Sequence, residues 1–209
     1  MSLVLYDYAL DENCYKVRLL LSILGVPHET VAIDMFPGSE HRGPAFLALN
    51  PRGTLPALFA DGLLLTGAEA ILAYLAERFD ESGTWLPADP AAFGAVLSWL
   101  HFAVDELSAA ARARAHAMTD APADEAAVVA AARAALRLMD DHMTKREFSG
   151  GRFFVGETPT IADLALFPAF ALSRDYGIDH DEFPALRRWI RRVRAVSGFL
   201  TMPGIPDYH

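Results

Sequence analysis

At 209 residues, 53% of them hydrophobic, the chain can fill a sizeable core in one medium domain or two small ones. A formal charge of −9 argues against nonspecific nucleic-acid binding, which needs a basic face. The single cysteine, Cys14, excludes an internal disulfide and suits a cytoplasmic location. No apolar run reaches membrane-spanning length. Residues 1–6 lack the basic region and cleavage site of a signal peptide and read instead as a first strand.

In chain order, residues 3–7 predict a strand, and residues 14–24 predict a helix. Val17, Leu20, Leu21 and Leu24 recur there at helical spacing, and Gly25 ends it. Residues 28–34 alternate as a second strand, 35–43 read as loop, and Phe46, Leu47 and Leu49 suggest a short helix. The chain is organised around residues 50–75. There the Asp61-Gly62 pair separates two apolar runs, 57–60 and 63–65, and marks a hairpin. Thr66 followed by Glu69 reads as a capping box opening a helix with Ile71, Leu72 and Leu75 on its apolar face. A helix N-terminus beside the edge that ends in Pro56 offers free N–H groups to an anion.

Residues 80–89 form a candidate linker, with Ser82, Gly83 and Pro87. The remainder reads as helical: one long segment over 90–118, a break at 119–122, and an alanine-rich helix over 123–142. A loop follows over 148–159, then a helix from Thr160 and another from Pro184 to about Val196, with an irregular tail over 197–209. Thr160 and Asp163 stand at capping-box spacing, so that signature concerns folding before chemistry. The boundaries are therefore 1–79 for an α/β domain, 80–89 for the linker and 90–209 for an all-helical bundle. The histidines show no metal-site spacing, and one cysteine cannot build a thiolate cluster, so no metal is expected.

Asn50, Pro51, Gly53, Pro56 and Leu58, followed by Ala70, Ile71, Leu72, Tyr74 and Leu75, resemble the glutathione-site half of the glutathione S-transferase superfamily. Further along, Phe154, Gly156, Thr160, Ala162 and Asp163 resemble its second-domain signature, as do Phe183, Pro184, Leu186 and Trp189. The resemblance spans nearly the whole chain. It implies a thioredoxin-like domain with a cis proline at Pro56, followed by an α-helical bundle, in a cytoplasmic homodimer. It implies glutathione as co-substrate and thiol addition to a small-molecule electrophile, in the service of detoxification.

The resemblance also nominates site residues. Asn13 to Arg18 resemble a bacterial subgroup that carries serine where this chain has Asp11. Asp11, Asn13 and Cys14 are thus the catalytic candidates. An ionised Asp11 accepts hydrogen bonds but donates none, and its charge opposes thiol ionisation. Asn13 can donate to a thiolate, or simply cap the helix. Cys14 lacks the partner of a dithiol pair and is a small buried helix residue or a site of mixed-disulfide formation. For glutathione binding the candidates are Arg42 at the glycine carboxylate, Leu55 and Pro56 at the cysteinyl unit, and Gly67 and Ala68 at the γ-glutamyl end. Gly67 and Ala68 replace the Glu-Ser pair of the family. Loss of the serine hydroxyl costs a charge-assisted hydrogen bond worth ~10- to 100-fold in affinity. His101, Asp105 and Arg112 are placed on broadly one face of the long helix, where an electrophile could bind. A related fold-mate activity, isomerisation or reductive dehalogenation, uses glutathione differently, and the sequence does not separate it from the addition. A noncatalytic binding module with a decayed thiol site is the alternative.

Overall fold

The computed structural model describes residues 3–205; Met1 and Ser2 of the predicted start and residues 206–209 of the predicted tail lie outside this range. The fold is that expected, a thioredoxin-like mixed sheet followed by a helical domain. Strands β1 (Leu3–Asp7), β2 (Glu29–Ala32), β3 (Ala57–Ala60) and β4 (Leu63–Thr66) form one sheet in the order β2-β1-β3-β4. β1 runs parallel to β2 and antiparallel to β3, which pairs antiparallel with β4. The β3–β4 turn places Asp61 at φ 48° and Gly62 at φ 92°. Two successive positive φ values match the right-handed twist of a hairpin, which is why the Asp-Gly pair is legible in the sequence.

Helices α1 (Glu12–Ile23) and α3 (Ala68–Phe79) cover one face of the sheet and meet Leu3 and Leu5 in the main core. Helix α2 (Pro44–Leu49) covers the other face, where Phe46 packs edge-on to Tyr6 beside Cys14, Leu55 and Ala57. The second half contains α4 (Pro90–Val104), α5 (Ser108–Thr119), α6 (Glu125–Phe148), α7 (Ile161–Ala171) and α8 (Pro184–Arg194). The main core runs unbroken from the sheet through α1 and α3 into α7. Among the described residues no helix is long and apolar enough to cross a membrane.

Three local expectations need correction. The first helix opens at Glu12, and its cap is Asp11, whose Oδ1 accepts from the Cys14 N–H at 2.7 Å. Asn13 lies inside the first turn and does not cap it. Secondly, Thr66 and Glu69 do not form a capping box. Thr66 belongs to the ladder opposite Ala57, Gly67 is the cap without a side-chain bond, and Glu69 pairs with Lys16. A strand ladder and a buried cation outcompete a local side-chain cap.

The third correction concerns the long helix predicted over 90–118, which is two helices. Asp105 leaves helical geometry at φ −92° and ψ −81°, and the Leu107 N–H reaches back to the Phe102 carbonyl. The break buries Leu107 in the core, and it removes the basis for placing His101, Asp105 and Arg112 on one face. Conversely, α6 runs on to Phe148, beyond the predicted end at 142, because Met143 continues the buried stripe of Val128, Ala132, Leu136 and Met139.

The capping box at α7 is present. Thr160 accepts from Ala162, and Asp163 accepts from the Thr160 N–H. Asp163 is fully buried and also accepts from the Phe154 N–H at 3.2 Å and the Trp189 indole N–H at 2.8 Å. It therefore ties α7, the loop before it and α8 together.

Candidate functional site

A polar groove of about 280 Å³ separates the two halves of the molecule. Its floor comes from α1, the 50–56 loop and the start of α3, and its far wall from α4, α5 and α7. Asn50 builds the loop. Fully buried, it donates to the Thr54 carbonyl at 2.8 Å and accepts from the Arg52 N–H at 3.1 Å. Gly53 sits at φ 58°, where an added Cβ would lie 2.9 Å from the His41 carbonyl, so only glycine closes this turn. The folded loop presents Arg52, Thr54 and Leu55 to the groove, and the Leu55–Pro56 bond is cis, as the resemblance implies. Pro56 itself is buried behind Leu55.

Gly67 and Ala68 line the same groove at the N-terminus of α3. Because Gly67 offers no capping side chain, the first-turn N–H groups face the groove as a potential anion site. Glu69 lies there too. Its carboxylate holds the ammonium of Lys16 at 2.8 Å, and Lys16 also donates to Asn13 Oδ1 at 2.9 Å. Lys16 is buried, with a relative exposure of 6%. The bond to Lys16 fixes the Asn13 amide with its oxygen toward the cation and leaves its N–H₂ for the cavity.

A wider, more apolar pocket of about 730 Å³ adjoins the groove, sharing Glu12, Asn13 and Ala111 with it. Met35, Phe36, Leu10 and Met118 supply its apolar wall, while Tyr8, His41, Arg112 and Arg114 supply polar groups. Arg114 is buried and clasps the two halves together. Its Nη1 donates to Glu12 at 2.9 Å and to the Leu10 carbonyl at 2.8 Å, and its Nε donates to Asp175 at 2.8 Å. Burial, reinforced by Asp11, pushes the Glu12 carboxyl up; Arg114 opposes the rise.

The predicted site residues thus divide. Asn13, Leu55, Gly67 and Ala68 converge on the groove, and Asp11 and Arg112 line the wider pocket. Asp11 is committed to its helix N-terminus. Burial raises its pKa, against the lowering effect of the Cys14 N–H, and its oxygen occupies first-turn donors that a thiolate could otherwise use. Cys14, in the first turn of α1, is fully buried against Phe46, Leu55 and Ala57 and accepts from the Tyr8 N–H at 3.4 Å. Burial first, and then the charge of Asp11, pushes its thiol far above the ordinary range, which is unsuited to a reactive thiolate. Arg42 is exposed on a short 3-10 turn and lines neither cavity; Arg52 reaches the groove instead. His101 and Asp105 are exposed and also line neither cavity.

Lys16, Arg52 and the Glu12–Arg114 clasp were not singled out from sequence as groove components. One signal for Lys16 was present: a lysine three residues after Asn13, amid positions that the helix buries.

Comparison with known proteins bears on the fold and on both halves of the chain. The model for the glutathione S-transferase N-terminal domain matches residues 13–78, and that for the C-terminal domain matches residues 109–192. A maleylacetoacetate isomerase of Rhizobium meliloti is 35% identical over 210 residues, spanning 94% of this chain and 93% of that protein. Glutathione S-transferase GstB of Escherichia coli is 30% identical, with 87% of this chain and 88% of that protein covered. The glutathione S-transferase of Pseudomonas fluorescens superposes with a TM-score of 0.86 at 28% identity, covering 97% of this chain and all of that one. A glutathione transferase homologue of Lodderomyces elongisporus, solved with two glutathione molecules per subunit, superposes with a TM-score of 0.83 at 26% identity over 95% of each chain. With the sheet, the groove, both halves and full-length relatives in agreement, this chain belongs to the glutathione S-transferase superfamily.

Proposed function

We propose that the protein binds glutathione in the polar groove and adds its thiolate to a small, carboxylate-bearing electrophile held in the wider pocket. The α3 N-terminus takes the γ-glutamyl carboxylate through the N–H groups at Gly67 and Ala68. The backbone of Leu55 pairs with the cysteinyl unit, and Arg52 lies where it can meet the glycine carboxylate. One observation carries the reading. Asn13, its amide oriented by Lys16, stands at the junction of the two cavities, the place where sulfur and electrophile would meet. Its N–H₂ replaces the donor that Asp11 cannot supply. Arg112 attracts the anionic end of the electrophile, and the apolar wall excludes water.

In the addition, the thiol proton leaves to solvent and a C–S bond forms as the conjugated C=C π bond breaks. The resulting enolate then takes a proton from water. Reversal of the addition after rotation about the former double bond returns glutathione and an isomerised product. The 35% sequence identity to a maleylacetoacetate isomerase supports this second outcome as a related reading.

The test is calorimetric titration with reduced glutathione, followed by turnover of cis-unsaturated keto acids and of a chlorodinitrobenzene-type substrate. N13A is expected to lose ~10- to 100-fold in kcat/KM, the worth of a charge-assisted hydrogen bond, with little change in melting temperature. An unmodified protein that neither binds glutathione nor turns over either substrate would leave a noncatalytic module as the surviving account. R112E is expected to discriminate about tenfold against a carboxylate-bearing electrophile relative to a neutral one. Equal effects on both would remove Arg112 from substrate recognition. A homodimer is part of the proposal: Phe93 and Leu97 are exposed one turn apart on α4, and light scattering should give twice the chain mass.

A further inference from the structure

The thiol site as described has an electrostatic problem. Asp11 and Glu12 put two carboxylates at the N-terminus of α1, where the fold needs positive potential, and Asp11 also occupies first-turn donors. Glu69 adds a third at the start of α3. The cations facing this cluster are Lys16 on α1, Arg52 on the 50–56 loop, and Arg112 and Arg114 on α5, with the titratable His41 across the wider pocket; the α7 residues lining the groove are alanines, and Arg112 is exposed. Arg114 is already bonded to Glu12, Asp175 and a backbone carbonyl. Arg52 is exposed. Lys16 alone is a buried cation bonded directly to the side chain that meets the sulfur.

We propose that Lys16 is a positioning residue for thiol activation. Through its bond to Asn13 Oδ1 it aims and polarises the Asn13 amide, and its charge favours the bound thiolate despite the surrounding carboxylates. Glu69 offsets the burial of the ammonium and holds it in register. A buried ion pair is weak as a stabilising device and costs desolvation, so its retention in the wall of the groove fits an electrostatic role there. Lys16 need not touch the sulfur. It acts through Asn13 and through its field, which a low-dielectric cleft strengthens. The amide N–H₂ becomes a better donor as its oxygen is bound to a cation. The inference rests on the proposed binding of glutathione in this groove.

The measurement is the ultraviolet absorbance of the glutathione thiolate, titrated against pH in complex with the unmodified protein, E69Q and K16M/E69Q. The double variant removes both charges with little change in volume, so no buried carboxylate is left unpaired. The unmodified protein should lower the thiol pKa of bound glutathione, and K16M/E69Q should return it by about one unit toward the free value. At saturating glutathione, the corresponding loss in turnover of the electrophile is about tenfold below the thiol pKa of the unmodified complex, and it should shrink as the pH rises above the thiol pKa of the variant complex. Below the bound thiol's pKa, where glutathione binds in its thiol form, affinity should change less than about threefold; above it, affinity follows the thiol pKa by linkage. E69Q, which keeps Lys16 and its bond to Asn13, should return the thiol pKa by less than K16M/E69Q does.

A double variant that binds glutathione with the unmodified thiol pKa overturns the role of Lys16 and leaves the proposed function standing. An unmodified protein that binds no glutathione, or leaves its thiol unshifted, overturns both. Should K16M/E69Q not fold, K16Q is titrated in the same way with the same two outcomes.

Discussion

Replacing Arg114 with alanine is expected to lower the melting temperature by about 10 °C and to reduce kcat/KM even when the protein is assayed well below that temperature. Removing one partner of a buried charge network typically costs about 3–5 kcal/mol, because the opposite charges stay behind unpaired. In a domain of this size each kcal/mol shifts the melting temperature by roughly 2–4 °C. Here Glu12, Asp175 and the Leu10 carbonyl all lose their donor together. The effect on activity follows from where those groups lie. Leu10 and Glu12 flank the cap of α1, and the next residue is Asn13. Without the clasp, the first turn of α1 is no longer tied to the helical half, and the Asn13 amide, which we propose meets the sulfur, loses its fixed position. R114K keeps a charge but not the planar fork that reaches three acceptors, so it should fall between the two. Thermal unfolding and steady-state kinetics on the same preparations check both halves. An R114A protein as stable and active as the parent would show that the clasp is dispensable.

D163N is expected to cost about 3 kcal/mol, seen as a lower denaturation midpoint with an unchanged slope. The Asp163 carboxylate accepts from the N–H groups of Thr160 and Phe154 and from the Trp189 indole, and it receives nothing but donors. Asparagine would turn an N–H₂ group toward one set of them. Burial pushes the Asp163 pKa up to about 6, while those donors pull it down, so at neutral pH the carboxylate is ionised and bonded. The sign of the pH dependence follows. A folded-state value above the unfolded one means that the native protein binds the proton more tightly. This residue's contribution to stability is therefore fully present below about pH 4 and is lost as the pH rises through about 6. The difference in stability between parent and D163N should consequently depend on pH between these limits and level off above them. A flat difference across that window would mean that Asp163 titrates normally.

Much of this molecule is legible before folding. The hairpin at Asp61-Gly62, the Thr160–Asp163 box, the order of strands and helices and the proline-ended edge are all local. Each is set by the conformational limits of a few adjacent residues, and each is found where the sequence places it. The reading failed where local rules met tertiary competition. Thr66 was a plausible cap until the ladder opposite Ala57 claimed it, and Glu69 its plausible reciprocal until a buried lysine on another helix claimed that. The long periodic run over 90–118 reads as one helix, because nothing in its composition marks the break that brings Leu107 into the core. His101, Asp105 and Arg112 were grouped on that assumption, and only Arg112 lines a cavity.

The sequence by itself thus determined the two-part architecture and the identity of the loop and helix ends that frame the groove. Caps, turns and periodicity depend on neighbours along the chain. Only the tertiary structure decided which charges meet there. Asn13 and Lys16 share a helix, but Lys16 finds Glu69 across 53 residues, and Glu12 finds Arg114 across 102. Such pairs form because a buried charge must find its opposite, and the opposite that packing brings within reach has no signature in the spacing of the chain.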